Sequence, residues 1–148
     1  MLTRSATAAD SAGIALLVEQ YWCFEDIGRF DRGRVTVLLE DFLDHPQFGS
    51  CWVVEEQQRL CGYLLAVFMF SLEHGGRMAE IDELFVTPEL RSAGIGSLLL
   101  AAAERELAQL GLVRLQLQLG TCNRRGRLFY ERQGYRSRSG YELMDKPL

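Results

Sequence analysis

Apolar positions along the chain recur in two rhythms. After Thr7 and Asp10, which are spaced like a capping box, Ile14, Leu17, Val18, Tyr21 and Trp22 fall three and four apart and predict an amphipathic helix. Asp31 is placed as the N-cap of a second helix, with Val35, Leu38, Leu39, Phe42 and Leu43 on one face until Pro46 ends it. Phe24 to Phe30, between them, reads as a loop rich in aromatics and acids. The rhythm then changes. Cys51 to Val54 and Leu60 to Phe70 are β-rich runs around a polar link, Glu55 to Arg59, and a second polar link, Glu73 to Arg77, leads into Ala79 to Val86. A three-stranded meander follows from that order.

A third helix is predicted from about Gly94 to Leu110, with Leu99, Leu100, Ala103, Leu107 and Leu110 as its core face and Gly111 as its stop. Val113, Leu115, Leu117 and Leu119 alternate with polar residues, the period of a strand with one buried face. A short helix from Asn123 to Gln133 and two short strands, at 135 to 137 and 141 to 144, complete the chain. With a first strand at Leu2, the predicted order is β-α-α-β-β-β-α-β-α-β-β, a mixed α/β domain.

Length and composition add that one core is enough. At 148 residues, with 48% apolar and 24% charged, the chain has the size and balance of a single globular domain, residues 1–148, and shows no repeat or low-complexity segment. The four cysteines, at 23, 51, 61 and 122, have no metal-ligand spacing, and His45 and His74 stand far apart, so no metal site is expected. No signal-like segment opens the chain, and its longest apolar run, Tyr63 to Phe70, is too short to span a membrane. Free thiols and a cytoplasmic setting are the expectation.

The net charge of −4 is unevenly distributed. Residues 1 to 90 hold 15 acids and 6 arginines, whereas residues 91 to 148 hold 5 acids and 10 bases. That polarity suits an anionic ligand near the C-terminal part and a cationic one near the N-terminal part, and it equally suits docking of the two parts. The pI of about 5.2 disfavours nucleic-acid binding, although residues 124 to 138 carry six arginines.

The strand that ends in Ile81-Asp82-Glu83-Leu84-Phe85-Val86 runs through Thr87-Pro88 into Arg91-Ser92-Ala93-Gly94-Ile95-Gly96-Ser97 at the start of a helix. A strand, a turn, an arginine and two glycines before a helix direct backbone N–H groups and the positive end of the helix dipole at one point, as an anion requires. No lysine is present for a Walker A loop, and Leu99 stands where a dinucleotide fingerprint needs glycine. ATP and NAD are therefore disfavoured.

This segment resembles the acetyl-CoA pyrophosphate loop of the GNAT superfamily of N-acetyltransferases, Arg/Gln-x-x-Gly-x-Gly/Ala, read as Arg91, Gly94 and Gly96. A second motif of that family is matched by Asn123, Gly126, Phe129, Tyr130, Gly134 and Tyr135. Ser92 stands where the family most often has glycine, and Gly126 where it usually has alanine. The resemblance covers nearly the whole chain. It implies a single-domain α/β fold with a mixed central sheet of six to seven strands and about four helices.

It also implies transfer of an acetyl group from acetyl-CoA to a primary amine by direct attack. The cofactor would be held by Leu84, Phe85 and Val86, by Arg91, Ser92, Ala93, Gly94, Ile95, Gly96 and Ser97, and by Asn123 and Gly126. Tyr130 would protonate the leaving thiolate, and Glu83 would take up the amine's proton or position a water that does; Asp82, on the opposite strand face unless a bulge intervenes, is the other candidate. Glu25, Asp26 and Asp82 suit a small cationic acceptor. A polyamine, an amino acid, an aminoglycoside and a protein N-terminus or lysine stay open, as do a homodimer and a rival reading, a non-catalytic acyl-CoA sensor. No metal, nucleic acid or membrane is expected as a partner.

Overall fold

Thr7 and Asp10 cap each other as their spacing predicts, Thr7 N–H donating to the Asp10 carboxylate at 2.8 Å, in a computed structural model that describes residues 1–148. The capped turn opens α1, Ser11–Phe24; Asp31 caps α2, Arg32–Asp44, by accepting from Arg34 N at 3.0 Å. Five strands form one sheet in spatial order: β1 Leu2–Ser5, β2 Gly49–Glu56, β3 Arg59–Ser71, β4 Gly76–Val86 and β5 Arg114–Leu117. All neighbours are antiparallel except β4 and β5, which run parallel because α3, Ile95–Gln109, carries the chain back between them.

Side chains alternate between two covered faces. Cys51, Val53, Tyr63, Leu65 and Phe85 pack against Ile14, Ala15, Leu17 and Val18 of α1 and Val35 and Leu39 of α2. The opposite parity, including Trp52, Val54, Leu64 and Ala66, is buried on the side where Leu99, Leu100 and Ala103 of α3 are also buried. Burial on both sides is why β2 and β3 read as continuous apolar runs rather than as alternation. Two helix-face expectations shift at the margins: Leu38 and Leu110 are exposed.

The chain divides into two compact units. Met1–Gln118 contains the whole sheet and α1 to α3; Leu119–Leu148 contains α4, Arg124–Arg132, and an irregular tail. The sheet has five strands, not six to seven, because residues 135 to 137 and 141 to 144 are not strands. Their flanks explain this. Gly134 and Gly140 take left-handed backbone (φ 91° and 88°), and Tyr141, Leu143 and Met144 are exposed, so the segment neither pairs with a ladder nor buries an apolar face.

Candidate active site

The strand β4 contains the irregularity on which the site depends. Opposite it, Leu65 pairs with Glu83 and the next residue, Ala66, pairs with Ile81, so Asp82 is the extra residue of a β-bulge. Strict alternation would put Glu80 and Glu83 on opposite faces. The bulge puts Glu83 and Phe85 on the face covered by α1, together with Glu80.

Glu83 is largely removed from solvent there, and no cation pairs with it. Its Oε1 accepts from Trp22 Nε1 at 2.8 Å and its Oε2 from the Tyr63 hydroxyl at 2.6 Å. Burial pushes the Glu83 carboxyl above its ordinary range, and the two hydrogen bonds partly oppose that shift. Asp82 reaches solvent, yet its carboxyl is also raised, by desolvation first and then by the charge of Glu80. The Tyr21 phenol is pushed up to about 12 by burial and then by the charges of Glu25, Glu83 and Asp82. Three of the four acids expected from the sequence thus act by their charge on one tyrosine. Asp26, the fourth, has a backbone role: at φ 57° it supplies the left-handed residue after α1, and Ile27 N–H closes back onto Trp22 O at 2.8 Å.

The bulge has a second effect, on the backbone. The ladder between β4 and β5 ends at the pair Ile81 and Leu117, so residues 82 to 86 have a strand partner on the β3 side only. Thr87 N–H donates to Cys61 O, which sets the parity: 85 and 87 turn toward β3, and 84 and 86 turn toward the open side. On that side the Val86 carbonyl accepts from Arg91 Nε at 3.0 Å. Leu84 N–H, Leu84 C=O and Val86 N–H therefore remain as the edge that a ligand's amide arm can pair with.

Arg91 is placed differently from a freely extended phosphate ligand. Its guanidinium lies 4.6 Å from the ring centroid of Phe24 and 5.3 Å from that of Phe85, a cation over two aromatic rings. It thus joins the end of α1 to the end of β4. In the loop that follows, Ser92 (φ 71°) and Gly94 (φ 82°) are both left-handed, and Gly94 is the N-cap residue of α3. The left-handed conformation, rather than crowding, favours the glycine, since no atom lies within 4 Å of where its Cβ would be. Beyond it, Ile95 and Gly96 open the first turn of α3, where backbone N–H groups have no acceptor within the helix.

In the second unit Asn123 is the N-cap of α4, its Oδ1 accepting from Gly126 N at 2.8 Å. A Cβ on Gly126 would lie 2.9 Å from the Asn123 amide and from Leu119 Cδ1, so the small residue makes room for the cap itself. Tyr130 packs edge-on between Phe129 and Tyr135, with ring centroids at 5.0 and 5.5 Å.

A model of the acetyltransferase (GNAT) family matches residues 15–135, most of the chain and parts of both units. The chain belongs to the GNAT family. It is 31% identical over 141 residues to an uncharacterized N-acetyltransferase, YhfO, of Bacillus subtilis, covering 95% of this chain and 93% of that one. Over 114 residues it is 39% identical to an aminoalkylphosphonate N-acetyltransferase of Salmonella typhimurium, covering 69% of this chain and 74% of the relative. A predicted acetyltransferase of Clostridium acetobutylicum, solved with acetyl-CoA, superposes with a TM-score of 0.82 at 17% identity, covering 97% and 95% of the two chains, which is a likeness of fold. This GNAT chain is accordingly an N-acetyltransferase, of a family that uses acetyl-CoA. Its own geometry suits that ligand: an unpaired strand edge for the amide arm, and left-handed backbone before a helix N-terminus for the phosphates.

Sequence reasoning missed Trp22, Tyr63 and Phe24 as site residues. Trp22 fits the helical periodicity of α1 and Tyr63 opens an apolar run, so each carries the ordinary signal of a core residue. No local pattern marks either as a hydrogen-bond donor to a residue 61 or 20 positions away.

Proposed function

We propose that the chain transfers an acetyl group from acetyl-CoA to the primary amine of a small molecule, with Glu83 taking up the amine's proton directly or through a water. An alkylammonium holds its proton up to a pH of about 10, so attack needs an acceptor for that proton. One observation carries the reading: a carboxylate withdrawn from solvent, without a cation, raised above its ordinary range and beside the open edge of β4. Glu25 and Asp82, whose charges act with that of Glu83 on the Tyr21 phenol, attract the ammonium form of the acceptor into the site.

Acetyl-CoA supplies the acyl group as an activated thioester. Leu84 and Val86 hold its amide arm through the backbone; Ser92 to Ser97 present N–H groups to its phosphates, with Phe85 beneath as packing. Arg91, its Nε bound to Val86, contributes charge through its terminal nitrogens. In this reading Asn123, which caps α4 through Oδ1, and Gly126 contribute to binding the arm, and Tyr130 protonates the departing thiolate. Asp26 shapes the turn that follows α1, next to Glu25.

The name of the 39% identical relative supports a small amine over a protein as acceptor. Thiol release from acetyl-CoA, measured with 2-aminoethylphosphonate, spermidine, free amino acids and a peptide with an open N-terminus, tests this. Turnover on a small amine is expected, and Glu83→Gln should lower kcat/KM by about 100-fold or more. Turnover on the peptide alone would overturn the acceptor class. Full activity in Glu83→Gln would overturn the proton acceptor, and in Tyr130→Phe the donor.

A further inference from the structure

The Glu83 carboxylate is held more completely than its assignment as a proton acceptor requires. Each oxygen receives one hydrogen bond from a neutral donor, Trp22 Nε1–H on Oε1 and the Tyr63 hydroxyl on Oε2. The donors come from α1 and β3, two elements that meet only through the core. We infer that Trp22 and Tyr63 are positioning residues, which fix the plane of the Glu83 carboxylate and aim its remaining lone pairs at the acceptor amine. This rests on the reading of Glu83 as the proton acceptor.

The chemistry of the donors argues for the role. An ionised carboxylate offers about four lone-pair sites, so one hydrogen bond on each oxygen leaves each free to accept another. An arginine in the same place would hold Glu83 ionised but draw its proton affinity down, leaving a weak base. Two neutral donors offset part of the cost of burial and lower the basicity less than a cation would. At 2.6 Å the Tyr63 contact has the length of a hydroxyl bound to a charged oxygen. Tyr63 is fully buried, and burial followed by the charge of Glu83 raises its phenol far above the ordinary range, so it donates without giving up its proton.

The neighbours on every side are compatible with this. Tyr21 on α1 and Cys51 on β2 are both pushed up to about 12, chiefly by burial, and stay neutral at physiological pH. Asp82, the adjacent residue on β4, adds a like charge, with Glu80 beyond it and Glu25 across Tyr21. Arg91 lies 5.3 Å from the ring centroid of Phe85. The bulge makes the arrangement available, because without Asp82 as the extra residue Glu83 would turn to the α3 face, away from both donors.

The Trp22 indole proton reports the arrangement without any substrate. The protein has two tryptophans, so loss of one indole signal in Trp22→Phe assigns it by NMR. Followed from about pH 4 to about pH 9 in the full chain, it should shift with the titration of Glu83, and Glu83→Gln should abolish that shift. In Tyr63→Phe the midpoint should rise by about half a unit to one unit, because a hydrogen bond to the charged form is lost. An indole proton that does not titrate, or a midpoint unmoved in Tyr63→Phe, overturns the inference. If Tyr63→Phe does not fold, the Glu83 carboxyl carbon of Trp22→Phe is titrated against wild type with the same two outcomes. A rate unchanged in Glu83→Gln would instead defeat the proton-acceptor reading, even if the indole titrates, so the two failures are separable.

Discussion

The two tryptophans make the same bond for different ends. On one face of the sheet Trp22 donates to Glu83 at 2.8 Å; on the other, Trp52 donates to Glu106 at 2.8 Å. Glu106 takes both its hydrogen bonds, from Trp52 and from Ser5, on the single oxygen Oε2, and Ser5 is exposed. Glu83 takes one on each oxygen, and one donor, Tyr63, is fully buried. The first arrangement ties α3 to β2 and β1 and leaves the carboxylate free to swing about one point. The second fixes a carboxylate in a plane where ionisation is costly. Equal distances thus conceal unequal roles, and what separates them is how many oxygens are held and by what.

The contrast can be broken by exchanging the consequences of the two bonds. Trp52→Phe removes a nearly fully buried indole and its hydrogen bond, and should cost about 2 kcal/mol of stability in denaturant unfolding, with the pH profile of acetyl transfer unmoved. Trp22→Phe should show the reverse balance, a smaller loss of stability with an altered profile. Similar stability losses with similar profiles would erase the distinction.

A carboxylate with a cation sharpens it further. Asp10, hydrogen-bonded to Arg4, is held at about 2 against an ordinary 3.8, so its stabilisation is present above the unfolded value and is lost as pH falls through the folded one. Unfolding measured from about pH 4 downward should lose up to about 2 kcal/mol from this pair, and Arg4→Gln should flatten that limb. Glu83 has the opposite sign. Its folded carboxyl is raised, so in the window between the ordinary 4.5 and the folded value the native state keeps a proton that the unfolded chain has released, and stability declines as pH rises through it. Glu83→Gln should reduce that decline, leaving the part that Asp82, also raised, contributes; a decline left unchanged would place the raised group elsewhere.

The smallest effect is expected in the loop before α3. Ser92 sits at φ 71°, where a side chain is strained, and Ser92→Gly should raise stability by about 1 kcal/mol in thermal or denaturant unfolding. No gain would mean that the Ser92 side chain itself stabilises the loop by as much as its backbone strain costs.

Much of the fold was legible because its signals are local. Capping residues, helical periodicity, β-rich runs and alternation depend on neighbours within a few positions, and they located α1 to α4, β1 to β5 and the N-cap at Asp31. The tail misled for the same reason: Tyr135 to Ser137 and Tyr141 to Met144 have strand composition, but a strand also requires an edge to pair with. The acid pair at 82 and 83 was visible as a candidate. Which of the two faces α1 was not, because parity through a bulge depends on the register of β3 against β4.

By itself the sequence determined the family, the Arg91 to Gly96 loop motif and the acidic residues available as candidates for proton chemistry, since each depends on residue identity and short spacing. Only the tertiary structure decided that Asp82 would be the bulge residue and Glu83 the buried carboxylate, that Trp22 and Tyr63 would hold it, and that Arg91 would be bound to Val86 and Phe24. The physical reason is common to all three. A hydrogen bond between residues tens of positions apart depends on strand register and helix packing, which the whole core sets cooperatively and no short segment encodes.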